Sequence, residues 1–138
     1  VAIIAGIVSG TLTSLTVILV LSILFHLNHQ QYVTLLPKSI TTAIGMGVSK
    51  ELGGIVTITV AVIVVTGVLG NVIADLVCKL FRITDPVAKG VGIGTASHAI
   101  GTARALEMGQ VEGAMSSLSI AVAGLLTVVG ASIYSMFL

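Results

Sequence analysis

Three stretches of this chain are apolar almost throughout: residues 1–25, 55–80 and 113–138. Each exceeds the roughly 20 residues that a helix needs to cross a hydrocarbon core. Between them lie two segments of different character, residues 33–50 and 85–109, where glycines, hydroxyls and ionisable groups interrupt the apolar pattern. The pattern therefore predicts three clean spans and two interrupted ones, with turns at 26–32, 50–54 and 109–112.

The first interrupted segment reads LLPKSITTAIGMGVSK from Leu35 to Lys50. Pro37 cannot continue a helix from its N-terminal side, but it suits the first helical position. A half-helix beginning there would expose free N–H groups and a partial positive charge, with Lys38 in its first turn, where a cation is unfavourable. Two readings stand side by side: Lys38 snorkels to a headgroup, or a bound anion makes the combination favourable, with Ser39, Thr41 and Thr42 adding hydroxyl donors.

The second segment, GVGIGTASHAIGTARALEMG, follows a strong helix start at Thr84-Asp85-Pro86. Gly90, Gly92 and Gly94 predict a break, with a second half-helix over residues 95–106. There Thr95, His98 and Thr102 share one stripe, and Ala96, Ala99 and Ala103 form a small-residue face suited to docking on a neighbouring helix. Arg104 and Glu107, at i and i+3, can pair at a cavity mouth, or Arg104 can meet a substrate. Gly6, Gly10 and Thr13 form a second small-residue stripe, read as a packing face. Asp75 is read as an interfacial residue.

Composition narrows the class. Charged residues make up 8% of the chain, hydrophobic residues 56%, and the mean hydropathy is +1.20; soluble domains carry about 25% charged residues. The chain is read as an all-α integral membrane protein, residues 1–138 forming one transmembrane domain. A net charge of +1 suggests no nucleic-acid partner. One cysteine excludes an internal disulfide, and without Cys or His clusters no metal or other cofactor is expected. His26 and His29 read as interfacial loop histidines. The excess of basic residues at Lys79, Arg82 and Lys89 predicts a cytoplasmic connection. GVGIG lacks the lysine and hydroxyl of a phosphate-binding loop. Ser97 and His98 are adjacent, so on a helix they point about 100° apart and do not form a hydrolytic pair. No enzyme is expected. The chain opens without Met or a signal peptide, and a trimmed or partial chain is the simpler reading.

Discontinuous helices that supply hydroxyls and basic groups point to a transporter binding site. At these residues the chain resembles a known family. LLPKSITTAIGMGVSKELGG and DPVAKGVGIGTASHAIGTARALEMGQVEGAMSSL are similar to the signature stretches of the LrgB/CidB family of bacterial membrane proteins. The resemblance covers essentially the whole chain and implies the C-terminal portion of a longer protein, roughly the second of two related halves. It implies an antiholin-like or holin-like protein that controls murein hydrolase activity and autolysis, or a transporter of small monocarboxylates: a plastid relative exports glycolate and imports glycerate, and bacterial members are implicated in pyruvate uptake. A small LrgA/CidA-like membrane partner and a location in the bacterial plasma membrane follow from the same resemblance. A homodimer is expected from the general frequency of symmetric pairs.

The expectation is thus a fold of three full transmembrane helices plus two interrupted (broken or re-entrant) segments, resembling one half of an inverted-repeat transporter. The expected function is small-monocarboxylate transport, with holin-like regulation as the alternative. The residues expected to contact a carboxylate are Lys38, Ser39, Thr41, Thr42, Thr95, Ser97, His98, Thr102 and Arg104.

Overall fold

The three apolar runs become three long helices: α1 (Ala2–Leu24), α4 (Val56–Leu80) and α6 (Gln110–Tyr134, continued by a 3₁₀ turn at Ser135–Phe137). All three are long and apolar enough to cross a membrane. The computed structural model describes residues 1–138 and contains helices only. Large apolar side chains such as Leu12, Val65, Val72, Leu125 and Val129 stand exposed around the bundle. Exposure of that kind is what a lipid-facing surface requires.

The segment between α1 and α4 folds as two short helices, α2 (His29–Leu35) and α3 (Thr42–Glu51). The polar run HLNHQQY, expected to be a turn, instead starts α2. Asn28 Oδ1 accepts from the Gln31 N–H at 2.9 Å, and Gln31 Oε1 accepts from the Asn28 N–H at 3.0 Å. Two orphan donors are thereby satisfied reciprocally. Nor does a helix start at Pro37. That proline lies fully buried in the turn between α2 and α3, where its carbonyl accepts from Ile40 N–H at 3.4 Å. The next helix begins at Thr42, with Thr41 as its N-cap.

This segment enters the bundle and returns to the end it came from. Thr34, on α2, lies at the start of α4: its hydroxyl accepts from Ile55 N–H at 2.8 Å, and its carbonyl accepts from Thr59 Oγ1 at 2.9 Å. Ser49, near the end of α3, bonds the same Thr59 hydroxyl at 2.7 Å. Residues 38–39, between them, lie deeper, with Ser39 Oγ 3.0 Å from Ser14 Oγ midway along α1.

α5 (Pro86–Met108) also reverses direction. At His98 the backbone leaves the helical region, with φ 44° and ψ −142°. The arms 86–97 and 99–108 fold against each other. Ile93 and Ala105 share one buried cluster with Ala74, although a straight helix would separate them by about 18 Å. A Cβ on Gly101 would lie 3.2 Å from Ile93 Cγ2. The first arm is about 18 Å long, enough to reach the middle of a core roughly 30 Å thick. Two re-entrant hairpins therefore enter from opposite ends. The one made by α2 and α3 enters from the end where α4 begins, and α5 from the end where α4 finishes.

The expected break at Gly90, Gly92 and Gly94 does not occur. These glycines remain helical, and two of them are packing devices. A Cβ on Gly90 or Gly94 would run into the carbonyl oxygen of Glu112 or Ser116 on α6. The docking face of α5 is therefore this glycine stripe, while Ala96, Ala99 and Ala103 are exposed, contrary to expectation. The stripe on α1 does pack within the chain: Gly6 faces Val91 and Gly10 faces Thr95. Thr13 is exposed. At the far end, Leu15, Ile18, Tyr32, Val33, Leu36, Val48 and Ala131 form the largest core cluster, tied by a bond of 2.8 Å from Tyr32 Oη to the Tyr134 carbonyl.

One pair of substitutions separates packing glycines from idle ones. Gly94→Ala drives a methyl into α6 backbone and should cost about 1–3 kcal/mol, seen as a lower melting temperature in detergent. Gly92→Ala meets nothing within 4 Å and should leave stability unchanged or slightly raised.

Candidate functional site

The two hairpin tips approach each other at the middle of α4. From one side, Lys38 is half-buried, and its Nζ donates to Ser39 Oγ at 2.7 Å. Having accepted that proton, the Ser39 hydroxyl is free to donate its own to Ser14. From the other side come Thr95, Ser97 and His98, all buried. Two grooves flank the first arm of α5, and Lys38 lines both. The groove between α1 and α5 has a volume of about 690 Å³ and passes Ser9, Gly10 and Thr13 to reach Ser14, Lys38 and Ser39. The groove between α4 and α5 is about 440 Å³ and passes Cys78, Ala74 and Gly92 to reach Lys38, Gly70 and Ser97. Both begin at the end carrying Asp85 and Lys89. Beyond Lys38 the interior is filled by the Tyr32 cluster.

The α5 tip is held by side chains that serve backbone groups. His98 Nε2 lies 2.9 Å from the Ile63 carbonyl of α4; a carbonyl only accepts, so this nitrogen carries the proton. Asn71 Nδ2 donates to the Ile100 carbonyl at 2.9 Å. Thr102 Oγ1 donates to the His98 carbonyl at 2.8 Å and pairs with Ser116 Oγ of α6 at 2.7 Å. Lower on the second arm, Arg104 forms an ion pair with Asp75 of α4 and another with Glu107.

The model of the LrgB-like family matches residues 1–137. The chain belongs to that family. It is 37% identical over 126 residues to the antiholin-like protein LrgB of Bacillus subtilis (strain 168), covering 91% of this chain and 54% of that protein. Proteins of the same name from Bacillus mycoides (strain KBAB4) and Bacillus cereus (strain B4264) are 36% identical over 136 residues, covering 99% of this chain and 59% of each relative. The chain thus spans little more than half the length of the curated LrgB proteins it matches. No solved structure matches it. The family and the three spanning helices place the chain in the cell membrane.

The residues singled out from the sequence divide into three groups. Lys38, Ser39, Thr95 and Ser97 line the grooves, though the Thr95 hydroxyl is bonded back to the Val91 carbonyl at 2.8 Å. Thr41 and Thr42 open α3 just after the tip, and Thr41 makes no side-chain cap bond. Three others are redirected. The His98 ring is buried and committed to α4, Thr102 lies in the seam between α5 and α6, and Arg104 is held by two carboxylates. None of these three lines a groove. Two contributors went unrecognised. Ser14 is absent from the expected set, although a hydroxyl midway along an apolar span is the available signal. Asp75 remains a part-exposed residue near the end of α4, and its pairing with Arg104 is defined only by the fold.

Arg104 sits 36% exposed and Asp75 38%, so their pairing is screened and adds little to stability. Arg104→Gln should therefore lower the melting temperature only slightly. It should leave the titration of any carboxylate ligand unchanged, as followed by ligand-induced thermal shift.

Proposed function

We propose that this chain is the membrane core of an antiholin-like protein, and that the core works by admitting a small carboxylate to the meeting point of its two hairpins. The observation that carries this reading is Lys38: one ammonium, half-buried beside a hairpin tip, bordering two grooves. An ionisable group at that depth is costly and by default marks a site. Helix starts add to its charge at the tips, against the ends of α2 and of the first arm of α5, which carry the opposite partial charge. α3 starts at Thr42 and the second arm of α5 at residue 99, and each start adds a partial positive charge. Ser39, Ser97 and Ser14 supply hydroxyls. The groove volumes fall within the range of about 300–1,000 Å³ common to small-molecule sites. Both grooves open toward the end with Lys79, Arg82 and Lys89, the face that their positive charge assigns to the cytoplasm. With the Tyr32 cluster filling the opposite side, the arrangement fits a carrier open inward.

The relatives' name favours a second reading, in which the antiholin-like role rests on assembly alone. It has structural support in the exposed small residues Ala96, Ala99 and Ala103, which suit helix–helix contact in lipid. Under this reading the polar tips are only packing devices.

Two substitutions separate the readings. A charge-assisted hydrogen bond contributes about 1.5–3 kcal/mol, so Lys38→Ala should weaken pyruvate or glycolate binding roughly ten- to a hundredfold in proteoliposomes of the full-length protein. Lys50→Ala, at an exposed helix end, should do little. Ala99→Leu, outside both grooves, should leave carboxylate binding intact. Unchanged binding with Lys38→Ala, together with loss of autolysis control and self-association with Ala99→Leu, would establish assembly instead.

A further inference from the structure

Two glycines one turn apart on α4 receive two successive side chains of the α5 tip. At Gly67 an added Cβ would lie 2.6 Å from His98 Cε1 and 2.8 Å from Nε2. At Gly70 it would strike the Ser97 hydroxyl. The missing Cβ at Gly67 is what lets the imidazole reach the Ile63 carbonyl, at 2.9 Å. His98 is also the residue at which the hairpin turns, at φ 44°. That backbone region favours glycine and is uncommon for other residues. Glycine would turn there more easily but could not make the bond. The non-glycine residue at the turn is accounted for by what its ring does.

We infer that His98 and Gly67 form a latch: the ring seated in the Gly67 notch holds the α5 tip against α4, and this fixes how far the grooves open at Lys38. His98 is accordingly a positioning residue for the site, not a ligand of the substrate. Ser97, the next side chain, lines the groove together with Lys38, so movement of the tip off Gly67 carries Ser97 out of the Gly70 notch and changes access at that point. Asn71, bonded to the Ile100 carbonyl, and the Arg104–Asp75 pair tie the second arm to α4 further along. The tip can therefore pivot while its arm stays attached. The latch rests on the reading of Lys38 as a site only in its consequence for the ligand; the movement itself can be read without any ligand.

The test uses thiol accessibility in membrane vesicles bearing the full-length protein. Cys78 is first changed to Ser, since it also borders the groove, and Ser97→Cys then reports the tip. A buried hydrogen bond of ordinary strength corresponds to about tenfold. His98→Gly should therefore raise the rate at which a charged methanethiosulfonate modifies position 97 by about tenfold. Gly67→Ala, which displaces the ring without altering it and also presses on Ile100 Cβ, 2.8 Å from the added atom, should do the same. His98→Gln, whose amide N–H can take the place of Nε2–H, should restore most of the protection. Vesicle content of protein after detergent extraction shows which variants folded; if Gly67→Ala did not, His98→Gly against His98→Gln decides alone. Equal modification rates in the His98→Gly and parent proteins would overturn the latch. So would a tenfold weaker carboxylate affinity in His98→Gln with unchanged accessibility, which is the signature of a direct ligand. Loss of the effect of Lys38→Ala on carboxylate binding would instead refute the anion site and leave the accessibility result standing.

Discussion

Backbone that leaves helical geometry inside a membrane must have its N–H and C=O groups satisfied by protein, because no water is there to do it. The structure depends on this constraint. Around both hairpins, side chains attend to backbone groups. Asn71 serves the Ile100 carbonyl, Thr102 the His98 carbonyl, Thr59 the Thr34 carbonyl, and Thr34 the Ile55 N–H. Thr34 and Thr102, which interrupt the hydropathy pattern, are among these attendants. Their presence in lipid is what permits two hairpins instead of two further spans, and hence permits tips that meet near the middle of α4.

The three spans were legible in the sequence because hydropathy over about 20 residues is a strong and local signal. That two segments are interrupted was legible as well. The places of interruption were not. Gly90 and Gly94 looked like a break, yet an isolated sequence cannot distinguish a glycine that bends a helix from one that brings it against a neighbour. Here the neighbour is the α6 backbone at Glu112 and Ser116. The actual turn falls on a histidine, because its ring finds a carbonyl on another helix. Helix α2 was missed although its capping pair, Asn28 and Gln31, stands in the sequence; the short polar run concealed it.

The same distinction runs through the candidate site. Lys38 and Ser39 stand out in the sequence because a lysine and hydroxyls beside a proline have no comfortable place in lipid, and the fold sets both along a groove. His98, Thr102 and Arg104 met the same test and yet have structural partners in Ile63, Ser116 and Asp75. Those partners lie on other helices, at separations only the fold defines. A polar residue in a membrane segment therefore indicates that something must satisfy it; whether that is a ligand or the protein's own backbone depends on what folds against it.

Everything at the tips depends on α5 re-entering instead of crossing. Re-entry fixes which ends of the molecule share a membrane face, and side-specific cysteine labelling measures that directly. In a Cys78→Ser background, single cysteines at Thr84, Gln110 and Gln30, all exposed, are treated with an impermeant maleimide in intact cells and in inverted vesicles. Positions 84 and 110 should label from the same face and position 30 from the opposite one. Labelling of positions 84 and 110 from opposite faces would mean that α5 spans the membrane, and would contradict the meeting of two hairpin tips on which the site depends.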